Sequence, residues 1–153
     1  IDRIQLGRVA VRAFDIPHDA AAPVGYIIQG TSRCVVATDI GNVDDRLQQM
    51  LEGAQVLVLE ANHDEEMLKQ GSYPYNLKQR ILGPLGHLSN RRMAQVVAEL
   101  RRRPQKLILA HLSESNNRPE LAMDTVKSVL DSYGINNMEI YMTAQNHSTS
   151  VDF

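Results

Sequence analysis

The sequence predicts an α/β fold: a mixed sheet with helices mainly on one of its faces. Three observations carry this. The runs Ala54 to Leu59 and Lys106 to Leu112 are short and nearly all apolar, as strands are when a sheet is covered by helices. Segments of helical periodicity lie between them, which parallel crossovers need. Ahead of them, Gly30-Thr31-Ser32 separates two strand-like runs and fits a tight hairpin turn, so the sheet starts antiparallel.

In order along the chain, Gly7 to Phe14 reads as a strand with Val9, Val11 and Ala13 alternating. Pro23 to Gln29 and Arg33 to Thr38 are the next two. Asn42 or Asp44 caps a helix running to about Leu51, with Leu47, Met50 and Leu51 on one face, and Gly53 stops it. After the strand Ala54 to Leu59, Asp64 to Gln70 is a short helix. Gly71 to Leu85, broken by Pro74, Gly83 and Pro84, reads as a long irregular stretch with room for a helical turn or two between Asn76 and Leu82. Long loops in compact domains tend to carry function. Ser89 or Asn90 caps a helix to about Arg102, striped by Met93, Val96, Val97 and Leu100, and Pro104 terminates it. Pro119, at a favoured first-turn position, opens a helix to Tyr133, which Gly134 ends. Met138 to Met142 is the last strand, and the polar tail from Thr143 is expected to fray.

Bulk properties bound the function. A chain of 153 residues is one domain or part of a larger one, and 43% hydrophobic residues suffice for a core. A formal charge of −2 gives no global attraction to nucleic acid or anionic membrane. No apolar run approaches the roughly 20 residues of a membrane helix, and no signal-peptide pattern is present. Cys34 is the sole cysteine, which rules out an intrachain disulfide and a thiolate zinc site and suits a core thiol. A cytoplasmic location is the expectation. The chain starts Ile1-Asp2-Arg3 rather than with Met, which predicts a processed or truncated start.

Three phrases concentrate the chemistry: Pro17-His18-Asp19, Ala37-Thr38-Asp39-Ile40-Gly41 and Leu109-Ala110-His111-Leu112-Ser113. Each places a His or a carboxylate at the tip of a strand. Two imidazoles and a carboxylate converging from separate strand ends are what a hydrolytic metal site needs; caps, loop hydrogen bonds or core histidines are the other roles open to them. Asp19 beside His18 can orient the ring or stand in solvent. His87 lies between Gly86 and a helix start. Glycine there allows close backbone approach, the helix N-terminus favours phosphate, and an imidazole can protonate a leaving oxygen; the other role for His87 is an exposed cap. Glu60, Asn62 and His63 end a buried strand, and His63 reads as an extra ligand, a substrate contact or a plain hydrogen-bonder. Lys78 and Arg80, shortly before His87, are candidates for phosphate contact, while Arg101 to Arg103 read as a solvated face. Tyr73 and Tyr75 can stack on bases or pack.

The phrases H-D-A-A-A-P-V-G-Y, A-T-D-I-G, L-V-L-E-A-N-H-D, G-H-L-S-N and L-I-L-A-H-L-S, in that order, resemble the second half of a metallo-β-lactamase-fold hydrolase, closest to the YycJ/WalJ-like exonucleases, with ribonuclease Z enzymes and a cyclic phosphodiesterase more distant. The resemblance runs from about Val9 to Met142. It implies an αββα sandwich, of which residues 1–153 are the C-terminal half, and two divalent metals, Zn or Mn, in the intact parent. By motif, His18 and His111 resemble metal ligands and Asp39 the carboxylate bridging both metals. Glu60 resembles a glutamate that pairs with the histidine corresponding to His87, the general acid, and tunes its proton. The family's first ligand cluster, H-x-H-x-D-H, occurs nowhere in this sequence, so the chain alone is expected to be inactive, with the binding of metal or of none both open to it. The function implied for the parent is a phosphodiesterase or nuclease, 5′-3′ exonuclease-like, using a metal-bound hydroxide, with nucleic acid or a small phosphodiester as substrate. The alternatives are a cyclic phosphodiester or thioester hydrolase of the same fold, or a metal-free half-domain with an assembly role. The implied protein partner is the N-terminal half or a second copy of the chain, with no membrane involved.

Overall fold

The computed structural model describes residues 3–152. Seven strands form one sheet in the order β1-β2-β3-β4-β5-β6-β7, so order in space repeats order in the chain. The first four are β1 (Arg3–Leu6), β2 (Val9–Asp15), β3 (Val24–Gln29) and β4 (Arg33–Ala37), paired antiparallel. Helix α1 (Asp45–Leu51) leads to β5 (Val56–Glu60). Helices α2 (Glu65–Gln70), α3 (Tyr75–Leu82) and α4 (Asn90–Glu99) lead to β6 (Lys106–Ala110), and α5 (Pro119–Ser132) leads to β7 (Glu139–Met142). From β4 to β7 the pairing is parallel. The expected mixed α/β sheet is present.

The helix starts have visible causes. The carboxylates of Asp44 and Asp64 accept from the Leu47 and Met67 amides at 2.8 and 2.9 Å, and the Ser89 hydroxyl accepts from Arg92 at 3.1 Å. Each satisfies an amide that the first turn leaves without a partner.

Three local expectations need correction. Residues 3–6 form a strand, β1, that the sequence reading left out. Gly7, at φ 59°, is the turn between β1 and β2 rather than the start of a strand. The stretch 71–85 is not irregular throughout: Tyr75–Leu82 is a helix with no fully buried residue, its Leu77 and Ile81 half-buried on one face. Helix α4 stops at Glu99, short of Arg102, because the Glu52 carboxylate takes the Arg101 and Arg102 amides at 2.8 and 3.0 Å.

The core lies between one sheet face and helices α1, α4 and α5. Val35, Ala37, Leu57, Leu59, Leu107 and Leu109 from the strands meet Leu47, Leu51, Met93, Val97, Val126 and Leu130. Alternate residues face the other way, because side chains along a strand change sides at every step. On that second face Val11, Ile28, Cys34, Val36 and Val58 are half-buried and Tyr26 is 44% exposed. Among the described residues no helix of this core covers it.

Because β2 and β4 both run antiparallel to β3, they point the same way, together with β5 and β6. The residues that follow β2, β4, β5 and β6 therefore gather at one edge of the sheet.

Candidate functional site

That edge holds His18, Asp39, Glu60, His87 and His111. Glu60, the last residue of β5, has no exposed surface and is the hub. Its Oε2 accepts from His111 Nδ1 at 2.7 Å, His87 Nδ1 at 3.0 Å and the Asp39 amide at 2.8 Å, and its Oε1 accepts from the Leu88 amide at 2.7 Å. Burial alone would raise its pKa, but the bonds from His111 and His87 outweigh burial and hold it below the ordinary value. A carboxylate has no proton to give, so both imidazoles donate from Nδ1, and each neutral ring keeps a lone pair on Nε2.

Asp39 sits at the centre. Its Oδ1 lies 3.7 Å from His111 Nδ1, 3.8 Å from His18 Nε2 and 3.9 Å from His87 Nδ1. His18 Nδ1 faces the Gly86 carbonyl at 3.2 Å, which fixes that ring too. Asp39 and His111 adopt φ of 61° and 57°, the left-handed region that side chains other than glycine rarely enter. Such residues cost about 1–3 kcal/mol each and cluster at functional sites. Gly41 and Gly86 bring the two loops together: a Cβ on Gly41 would collide with the Gly86 amide and the Pro84 carbonyl. Ligand atoms of Asp39, Glu60, His87 and His111 all lie within 4.8 Å of one another, a group able to hold a metal ion. Two carboxylates and two imidazoles are a donor set that suits zinc or manganese.

A cavity of about 310 Å³ opens over the cluster, walled by His18, Asp19, Tyr73, Leu77, Arg80 and Leu85. Arg80 Nε donates to Asp19 at 2.5 Å, and this bond lowers the pKa of the Asp19 carboxyl. Of the residues expected to touch substrate, Arg80 lines the cavity and two do not. Lys78 donates its ammonium to the Lys69 carbonyl at 2.7 Å. His63 is 1% exposed and lines a separate space of about 200 Å³, with no hydrogen-bond partner on either ring nitrogen among the described residues. Burial holds its pKa below 6.5 despite the nearby Glu60 and Glu65. The sequence reading missed the buried amides of Asn90 and Asn117, whose only visible signal is asparagine beside a helix start.

A family model for the beta-lactamase superfamily domain matches residues 2–112. The chain belongs to the beta-lactamase superfamily. This superfamily member is 42% identical over 130 residues to an exodeoxyribonuclease YycJ of Bacillus anthracis, covering 84% of the chain and 49% of that relative. It is 43% identical over 126 residues to an exodeoxyribonuclease WalJ of Streptococcus pneumoniae serotype 2, covering 81% and 47%. The metallo-beta-lactamase fold protein YhfI of Bacillus subtilis superposes with a TM-score of 0.64 at 15% identity, over 93% of the chain and 49% of that structure. These agree with the resemblance carried by the five phrases, and the superposition shows the fold. The superfamily chain spans about half the length of the curated relatives it matches. Among the described residues no helix is long and apolar enough to cross a membrane.

The Glu60–His111 pair gives the metal-free protein a pH signature. The Glu60 pKa is depressed, so its contribution is present above the ordinary 4.5 and lost as pH falls through the folded value. The His111 pKa is raised, first by the bond to Glu60, so its contribution is complete below the ordinary 6.5 and lost as pH rises through the folded value. The stability difference between wild type and His111→Gln is therefore expected to be largest between pH 4.5 and 6.5. With the His111 side chain 43% exposed and screened, about 1 kcal/mol is the expected size. Denaturant titrations across pH measure it. A difference that stays constant into alkaline solution would show that the pair is not coupled through charge.

Proposed function

We propose that this chain is the second half of a metal-dependent phosphodiesterase of the metallo-β-lactamase fold, acting on nucleic acid as a DNA exonuclease. The convergence of Asp39, Glu60, His87 and His111 at one sheet edge is the observation that carries this reading. The relatives named exodeoxyribonuclease support the substrate. Asp39, His111 and His18 would hold divalent metal, which when bound supplies a water of pKa lowered towards ~7 and charge stabilisation at phosphorus.

The chain's own groups account for the rest. Glu60 accepts the Nδ1–H hydrogen bond of His111 and fixes that ring as a ligand through its other nitrogen. It accepts the Nδ1–H of His87 as well, so a second proton on His87 sits at Nε2, where it can pass to the leaving oxygen. Arg80, steadied by Asp19, faces a phosphate from the cavity wall. Tyr73, Leu77 and Leu85 give the cavity an apolar part of its wall.

The half-fold reading rests on the length of the relatives, on the lack of H-x-H-x-D-H, and on the open second face of the sheet. A face of this kind takes either the N-terminal half or a second copy of the chain. Size exclusion with light scattering should therefore give the isolated chain a mass above its 17.1 kDa monomer. A well-behaved monomer would mean that the face needs no cover.

The function test is a metal-loaded preparation carrying both halves, offered duplex DNA, RNA and a cyclic nucleotide. Release of mononucleotides from DNA ends supports the proposal, and inertness toward all three overturns it. A small cyclic phosphodiester is the second reading. The cavity of about 310 Å³ favours it, since this is the low end of the range for small-molecule sites.

A further inference from the structure

Three loops carry the working groups of this edge: residues 61–64 after Glu60, 86–90 around His87, and 111–117 from His111 onward. Each contributes a buried asparagine to one hydrogen-bonded network, and the last loop buries Asn116 as well. Asn62 is 8% exposed, Asn90 1% and Asn117 4%. Asn90 and Asn117 exchange side-chain amide bonds, at 2.9 Å in one direction and 2.8 Å in the other. The same Asn117 nitrogen lies 3.0 Å from both the Ala61 and the Asn62 carbonyls, the two residues that follow Glu60. The Asn62 side chain donates to the His111 carbonyl at 3.0 Å, and the Asn62 backbone carbonyl accepts from the Ser113 amide at 2.8 Å. Backbone bonds run alongside: Asn62 to Leu88 at 3.0 Å and Asn90 to His63 at 2.9 Å.

The Asn117 amide has two hydrogens and three acceptors within reach, so its place is fixed only while all three loops keep their spacing. Buried networks of this kind hold a unique arrangement when every member is satisfied. None of these side chains bonds to Glu60, His87 or His111 through a ring or carboxylate atom. They grip the backbone next to those residues.

We propose that the Asn62–Asn90–Asn117 network is the positioning device of the site: it sets the separation of His87 and His111, whose ring centroids are 5.3 Å apart, across the carboxylate of Glu60. These are positioning residues, acting through the loops they join. The inference rests on the reading that His87 and His111 serve one reaction, but its geometric content can be tested without any turnover.

The test compares Asn117→Ala with Val129→Ala, a buried truncation in α5 far along the helix from the site. The full chain, labelled with ¹⁵N in histidine, is examined by NMR without metal. In wild type the His87 and His111 Nδ1–H protons should resonate downfield through their bonds to Glu60. In Asn117→Ala they should shift or broaden, while in Val129→Ala they should stay at their wild-type positions although stability also falls. If Asn117→Ala does not fold, Asn90→Ala serves instead, because it keeps the Asn117 bonds to the Ala61 and Asn62 carbonyls. In the metal-loaded protein with both halves, the Asn117 variant should lose roughly 10- to 100-fold in kcat with KM near wild type, as misplacement of reacting groups by about 1 Å does. Equal NMR changes in the asparagine and Val129 variants, or none in either, overturn the proposal. A wild type that hydrolyses nothing overturns the phosphodiesterase reading alone and leaves the NMR comparison to decide this one.

Discussion

Glu60→Ala is expected to cost the metal-free protein about 3–5 kcal/mol, the range for removing one partner of a buried hydrogen-bonded charge pair. The substitution leaves four donors facing nothing: the amides of Asp39 and Leu88 and the Nδ1 protons of His87 and His111. Two of these belong to loops that would otherwise be free to part. Since domains are stable by only about 5–15 kcal/mol, much of the fold's margin would go. Glu60→Gln is the informative companion. Its oxygen can still serve the three donors on the Oε2 side, but its NH₂ then meets the Leu88 amide donor to donor, so a smaller loss is expected. Urea denaturation of the three proteins measures both. Wild-type stability in Glu60→Ala would show that the carboxylate is not the hub its contacts describe.

His87→Ala, in metal-loaded protein carrying both halves, is expected to lower kcat by roughly 10²–10⁴-fold with bound metal unchanged, the usual cost of losing a general acid. The acidic partner that orients His87 would remain, held by its other three bonds. Parallel loss of metal and activity would make His87 a ligand, which its place in the cluster also permits. Unchanged turnover would reduce it to a residue that closes the loop before α4. Metal analysis beside steady-state kinetics separates the three outcomes.

Much of the fold was legible because the strands at its centre are covered on the core side and nearly all apolar, and because Asp44, Asp64 and Ser89 stand where helices start. What escaped depends on partners rather than on local pattern. Strand β1 has all four residues exposed, so only its pairing with β2 makes it a strand. Helix α3 has no fully buried residue and lies between Pro74 and Gly83, so its sequence reads as a turn or two inside a loop. At the site, His18, Asp39, Glu60, His87 and His111 could be picked out because each sits at or just beyond a strand or before a helix. Lys78 and Arg80 looked equivalent in the sequence. On a helix, residues two apart point roughly 200° away from each other, so Arg80 meets the cavity while Lys78 turns to the Lys69 carbonyl. The asparagine network was invisible for a further reason: its members are far apart in the chain and only loop juxtaposition joins them.

The strand order of the sheet bears on how the protein is made. Every strand pairs with its immediate predecessor in the chain, so no strand has to be slotted between two that have already joined. The antiparallel pairings of β1 to β4 close short loops, and in the parallel half each crossover helix arrives together with the strand that follows it. Topologies weighted toward local contacts fold faster and spend less time with unpaired edges. This sheet can therefore grow strand by strand in chain order. The histidine and carboxylate cluster is assembled stepwise in the same direction: His18 is in place first and Asp39 second, and His111 completes it only when β6 docks.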